Sequence, residues 1–188
     1  MRPPLLAIAL LFAAGEVGLA QDAQRHGHAS SPYAGQQHRS IKSLSQQQVE
    51  DLRAGRGMEL ALAAELNGYP GPLHVLELAD RLALSAEQRS RVQQLHDAMK
   101  RETIQLGERL IGEEAELDRQ FAARTIEPAS LTTLTDAIGR TQAALRAAHL
   151  KYHLHTAKVL TPSQMQRYAE LRGYAGAQPM HAPRQHPY

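Results

Sequence analysis

Two histidines, His149 and His153, stand four positions apart in a chain that contains 10 histidines and no cysteine. On a helix, this spacing places both imidazoles one turn apart on one face, which is typical of a pair of metal ligands. Without cysteine, disulfides and thiolate nucleophiles are excluded, and any metal site must use His, Met, Asp or Glu. His149 and His153 are therefore the first candidates for a metal site.

A third histidine, His96, is predicted on the preceding helix at the level of this pair. If two long helices fold back near residue 124, antiparallel pairing sets His153 beside about position 96, with Met99 or Asp97 nearby. Three imidazoles could hold Zn, Ni, Co or Cu, with geometry choosing among them. The alternative is that all three are ordinary residues of the helix seam, each hydrogen-bonded to a neighbour or to water. We expect no cofactor to be required, and a divalent metal remains the one candidate ligand.

No pattern in the sequence indicates catalysis. The acidic residues Glu113, Glu114 and Glu116 fall in the middle of a predicted helix, beside Arg109 and Arg119. Pairs at these spacings predict a solvated, salt-bridged face. The sequence contains no Gly-rich phosphate loop and no Gly-x-Ser-x-Gly nucleophile elbow. We expect a binding protein and not an enzyme.

The composition predicts an all-α protein. Hydrophobic residues make up 43% of the chain but aromatic residues only 4%, so aliphatic side chains must form the core. Leu, Ala, Gln, Glu, Arg and Lys favour helices, and no segment alternates with the period of a strand. The formal net charge of +2 provides no basic stripe, so nucleic acid is not an expected partner.

The chain is predicted to contain four segments. Residues 1–20 resemble a cleavable signal peptide, with Arg2 before the apolar run Leu5 to Ala14 and small residues before Gln21, which predicts export to the periplasm. Residues 21–42 are predicted to form a flexible His- and Gln-rich arm, and residues 175–188 are predicted to form a disordered tail. Residues 43–174 are predicted to form one helical domain.

Two five-residue patterns bracket the longest predicted helices. Each consists of Leu, Ser or Thr, two further residues and Gln, which predicts a capping box at the start of a helix. The pattern residues are Leu84, Ser85 and Gln88 in the first copy, and Leu160, Thr161 and Gln164 in the second. Between them, apolar residues recur at helical spacing over 86–123 and 128–159, so two long helices must fold back antiparallel. Upstream, the sequence predicts a helix from Ser45 toward Leu66 and a short helix opening at Pro72.

This arrangement resembles the Spy/CpxP family and the related periplasmic heavy-metal resistance and sensor proteins of the CnrX and ZraP kind, over residues 70–174. The resemblance implies a hooked antiparallel hairpin of four to five helices that forms a homodimer. It also implies binding of unfolded periplasmic proteins, or of an inner-membrane sensor or anti-sigma protein. The leading expectation is an ATP-independent chaperone of the envelope stress response. The alternative is a periplasmic heavy-metal sensor or resistance protein that uses His96, His149 and His153.

Overall fold

The structure is a computed structural model that describes residues 31–175. The predicted signal peptide, residues 21–30 of the predicted arm and residues 176–188 of the predicted tail lie outside the described residues. The chain divides after Ala34 into two units. Of the first unit, residues 31–34 are described, and they form a turn in which Ala34 N–H donates to the Ser31 carbonyl. The remaining description concerns the unit that begins at Gly35.

Six α-helices and one short 3-10 turn, Gln36–His38, account for the regular structure of the described residues, which contain no strand. The helices are α1 (Gln46–Ala54), α2 (Leu62–Glu65), α3 (Pro72–Glu77), α4 (Ala86–Ala122), α5 (Pro128–Ala157) and α6 (Pro162–Leu171). The all-α prediction is confirmed. Between residues 31 and 175, no helix is long and apolar enough to cross a membrane.

The helix count is six rather than the predicted four to five because the first predicted helix is interrupted at Gly55. Gly55 adopts a left-handed conformation with φ of 65°, and its N–H caps carbonyls at the end of α1. A glycine in this conformation is a common helix terminator. Met58 and Glu59 are also left-handed, with φ of 39° and 62°, so the chain turns sharply before α2. The sequence pattern indicated only a weakened helix at this point.

The antiparallel pair of α4 and α5 forms the centre of the fold. Leu110 and Ile111 of α4 pack with Ile138 and Leu145 of α5 in one buried cluster. The turn between the helices occupies residues 123–127, close to the predicted position. Burial of these aliphatic side chains supplies the main stabilisation, because each fully buried one contributes about 1.5–3 kcal/mol.

Helix α1 packs directly on α4 and extends this cluster. A Cβ atom at Gly107 would lie 2.5 Å from the Leu52 carbonyl oxygen, so only glycine permits this backbone approach. Val49, Leu52 and Ile41 are buried in the same cluster. The packed part of the chain therefore begins N-terminal to the boundary predicted at residue 43.

The contacts between α4 and α5 are consistent with the predicted register of the hairpin. Gln88 Nε2 donates to the Val159 carbonyl at 2.9 Å, and Lys151 Nζ donates to Glu102 at 2.8 Å. In an antiparallel pair these contacts set His153 beside about positions 94 to 100, on either side of the predicted position of about 96.

Both sequence patterns form the predicted capping boxes, and their glutamines contact each other. The Ser85 and Thr161 side chains accept hydrogen bonds from the backbone N–H groups of Gln88 and Gln164. Gln88 Nε2 donates to Gln164 Oε1 at 2.8 Å, and Gln164 Nε2 donates to Gln88 Oε1 at 3.0 Å. The two helix starts are thus joined at the open end of the hairpin.

Further bonds and a second core surround this glutamine pair. Gln88 Nε2 also donates to the Val159 carbonyl, and Gln164 Nε2 to the Leu82 carbonyl. Leu84 and Leu160 contribute to a second hydrophobic cluster, which includes Tyr168. The repeated pattern therefore has a structural role in this chain, because it ties α4, α6 and the preceding segments together.

We expect Gln88→Ala and Gln164→Ala to be coupled in their effects on stability. Each substitution removes one side of the same amide pair, so the free energies of unfolding in a double-mutant cycle should be non-additive by about 0.5–3 kcal/mol. Urea unfolding measures this coupling. Gln48→Ala is the control, because Gln48 completes a third capping box with Ser45. Additive effects of Gln88→Ala and Gln164→Ala would contradict a direct contribution of their contact.

Candidate metal centre

The three predicted site histidines, His96, His149 and His153, line one cavity of about 730 Å³. Its walls come from the segment after α1, the start of α3, and the facing sides of α4 and α5. This volume falls in the range of about 300–1,000 Å³ that is usual for small-molecule sites and is far larger than one ion requires. The three histidines that the sequence singled out are thus residues of a common cavity.

His153 has one nitrogen committed to the backbone and the other directed toward a glycine. Its Nδ1 lies 2.7 Å from the Tyr69 carbonyl oxygen, which can only accept, so Nδ1 carries the proton. In the neutral ring, Nε2 therefore keeps a free lone pair. A Cβ atom at Gly71 would lie 3.0 Å from this Nε2, so the Gly71 backbone packs closely against the ring and a side chain at residue 71 would clash with it.

His149 is the more unusual of the pair. It is 2% exposed, and its buried Nε2 atom has no hydrogen-bond partner. Burial lowers the pKa of His149, and the neighbouring His153 lowers it further. Because desolvation disfavours the imidazolium, His149 is held neutral, which is the form that binds metal. An unpartnered buried polar atom costs about 1–3 kcal/mol of stability, which identifies this Nε2 as a group suited to a ligand.

His96 does not complete a ready three-imidazole set. It lies on α4 with Nδ1 3.3 Å from Asp97 Oδ1, at the cavity border. Within residues 31–175, no group of three or more His, Cys, Asp or Glu side chains could hold a metal ion as arranged. The three histidines share a cavity without forming a ready ligand group, so their role as a metal site stays a prediction, and His149 and His153 are the pair on one helix face.

The other described histidines are His38, His74 and His155. His38 and His155 are exposed. His74 is half-buried on α3 and lines the cavity, and its Nδ1 lies 3.1 Å from Glu77 Oε2. His26, His28, His181 and His186 lie outside the described residues. The pattern glutamines and leucines of the two capping boxes do not line the cavity.

Sequence analysis missed Glu65, which organises one wall of the cavity. This carboxylate is buried and accepts hydrogen bonds from Tyr168 Oη at 2.5 Å, Tyr174 Oη at 3.2 Å and Gly71 N–H at 3.1 Å. Its Oε2 lies 3.7 Å from His153 Nδ1. Burial raises the pKa of Tyr168, and the Glu65 carboxylate raises it further, so the phenol remains a donor. The only signal in the sequence was a lone acid among the apolar residues of α2.

The arrangement suits a metal ion on chemical grounds. The two imidazoles lie one turn apart on α5, the Nε2 atom of His149 has no hydrogen-bond partner, and the Nε2 atom of His153 is not used by the contact with Tyr69. The contact of His153 with the Tyr69 carbonyl fixes its ring, as outer-shell acceptors do for metal-binding histidines. Imidazole suits Zn, Cu and Ni, so the donor set fits a borderline or soft metal rather than Mg or Ca.

We expect the metal-free protein to lose stability as the pH falls below the ordinary histidine pKa of about 6.5. The pKa of His149 is lowered in the folded state, so the unfolded state binds its proton first. The stability that neutral His149 confers is complete above about pH 6.5 and declines as the pH falls toward its folded pKa. Urea unfolding with chelator present, at roughly pH 7.5 and 5.5, measures this loss.

His149→Gln should reduce this pH dependence, because glutamine does not titrate. His155→Gln should retain it, because His155 is exposed on the same helix. An equal loss of stability in wild type and His149→Gln would contradict the assignment.

Comparison with known proteins gives one match. Residues 69–167 match the family described as heavy-metal resistance, and this segment is more than half of the chain. It includes both capping-box patterns and His96, His149 and His153. No curated protein and no solved structure matches the chain. The predicted relationship to heavy-metal resistance proteins is confirmed, whereas placement in the Spy/CpxP family itself stays a prediction. The chain belongs to the heavy-metal resistance family.

Proposed function

We propose that this protein binds a heavy-metal ion through His149 and His153 and contributes by this binding to metal resistance in the cell envelope. The observation that carries the proposal is the buried His149 Nε2, which has no partner inside the protein. It lines the same cavity as His153, whose Nε2 is also free. A metal ion would satisfy both nitrogens at once.

The surroundings of the pair favour the metal-binding form. Because His149 is held neutral by burial, no proton has to be displaced from it near neutral pH. The Tyr69 carbonyl orients the His153 ring. Folding has therefore already met part of the entropy cost of immobilising this side chain for metal binding. The mechanism is binding and not catalysis, and no group of the cavity is assigned a catalytic role.

Location and partners follow from the sequence. The signal-like residues 1–20 support export, and we propose the periplasm as the site of action. A homodimer, and contact with an inner-membrane sensor or anti-sigma protein, remain proposals that rest on the family resemblance.

We expect the purified chain to bind one equivalent of Zn, Ni, Co or Cu with an affinity that depends on both histidines. His149→Gln and His153→Gln should each weaken binding by about tenfold or more, because each removes an imidazole ligand. Isothermal titration calorimetry with each metal measures the effect.

The matched control is His155→Gln, an exposed histidine on the same helix that should bind as wild type does. Circular dichroism confirms that each variant is folded. Superimposable isotherms for wild type, His149→Gln and His153→Gln would show that metal binds elsewhere in the chain and would overturn the proposal.

A second function, the holding of unfolded clients, is favoured by an exposed apolar surface on the segment from α2 to α3. Leu62, Leu66, Tyr69 and Leu73 are each at least 42% exposed within twelve residues of sequence. Clustered exposed apolar side chains are typical of protein-binding surfaces. We define these four residues as the α2–α3 apolar surface.

If this surface holds clients, Leu66→Gln with Leu73→Gln should reduce suppression of client aggregation at equimolar ratio. The free energy of unfolding should change little, because both side chains are largely exposed. Light scattering of an aggregating client measures the effect. Leu131→Gln, an exposed leucine on α5, is the control. No suppression by the wild type would remove this second function.

A further inference from the structure

Of the three methionines in the described residues, two line the histidine cavity. Met58 and Met99 lie in its wall, whereas Met165 packs in the separate cluster around Tyr168. Met1 and Met180 lie outside the described residues. Thioether sulfur is a soft ligand that selects Cu(I) and similar ions, whereas imidazole accepts a wider range of metals. The cavity therefore combines two soft donors with four imidazoles, those of His74, His96, His149 and His153.

Met58 occupies its position through an unusual backbone. Its φ of 39° lies in the left-handed region, and Glu59 follows with φ of 62°. Such conformations cost about 1–3 kcal/mol in residues other than glycine and often mark binding sites. The preceding residue, Gly57, lies against the pair, since a Cβ atom there would be 4.0 Å from His149 Nδ1. The strained turn thus brings Met58 to the His149 side of the cavity.

Met99 approaches from α4. It is 9% exposed and packs in a cluster with Leu95 and Tyr152. Tyr152 precedes His153 on α5 and follows His149 by three positions, so this packing holds Met99 beside the histidine pair. The two methionines therefore reach the cavity from two separate elements, α4 and the turn after α1.

Harder donors line the same cavity, among them Glu59 and His74, but they are not grouped around one point. Within residues 31–175, no three His, Cys, Asp or Glu side chains form a ligand group. The Glu65 carboxylate, the nearest buried acid, is already bonded to Tyr168, Tyr174 and Gly71. Tetrahedral Zn and higher-coordinate Ni and Co would thus lack protein ligands, whereas a soft monovalent ion binds well with few soft ligands.

We propose that the cavity selects soft monovalent metal ions, Cu(I) and Ag(I), through His149 and His153 together with the thioethers of Met58 and Met99. This inference rests on the proposed function, because it assigns the metal class to the same histidine pair.

The test compares Ag(I), and Cu(I) held by ascorbate and a competing chelator, with Zn, Ni and Co on the full chain. The wild type should bind Ag(I) and Cu(I) more tightly than Zn. Met58→Leu with Met99→Leu should weaken Ag(I) and Cu(I) binding by about tenfold or more and leave Zn binding unchanged. Leucine conserves the volume of methionine, so the variant is expected to fold.

Met165→Leu is the matched control, because Met165 is a packed methionine away from the cavity, and it should bind as the wild type does. X-ray absorption of the Ag(I)-loaded protein should show sulfur ligands in the wild type and their loss in Met58→Leu with Met99→Leu. Unchanged Ag(I) affinity in that variant, with binding still dependent on His149, would overturn the thioether assignment and leave the proposed function standing. Binding of every metal independently of His149 would overturn both.

Discussion

The antiparallel packing of α4 against α5 sets the level at which the other groups of the domain stand. Burial of aliphatic side chains from both helices in one cluster holds this register. Glu102 adds hydrogen bonds from Lys151 and Tyr152 across the pair. The Lys151 ammonium lowers the pKa of Glu102, so this carboxylate is charged when it makes both contacts. Because His153 follows Tyr152 directly, a slip of one turn along this seam would carry His153 away from Gly71, whose backbone packs closely against its ring.

The hydrogen bonds of Glu65 are a second constraint, and they hold together the part of the cavity wall that does not belong to α4 and α5. Glu65 holds together α2, the turn at Gly71, Tyr168 of α6 and Tyr174 near the end of the described chain. A buried carboxylate is tolerated when its oxygens are fully hydrogen-bonded, and here hydroxyl and amide donors meet that need. The same contacts keep Tyr69 and Gly71 against His153. The histidine pair and the segment around Glu65 therefore depend on each other.

The sequence predicted those features that depend on local patterns. The capping boxes at Ser85 and Thr161, the long helices α4 and α5, and the shared face of His149 and His153 each follow from residues close together in the chain. What could not be predicted depends on contacts between distant segments. The contact of Lys151 with Glu102 spans 49 positions of sequence, that of Gln88 with Gln164 spans 76, and that of Tyr168 with Glu65 spans 103. No periodicity of a single helix encodes such distances.

The unpartnered His149 Nε2 links stability to binding. Left without a partner, it costs about 1–3 kcal/mol, and the left-handed Met58 adds a cost of similar size. A ligand that binds only the folded state at a concentration of about one hundred times its Kd stabilises that state by about 2.7 kcal/mol. Metal binding would therefore offset much of the free energy of folding that the unpartnered His149 Nε2 and the left-handed Met58 cost in the metal-free protein. An apolar side chain at position 149 would fill the seam without an unmet polar atom, so packing alone does not call for a histidine at this position.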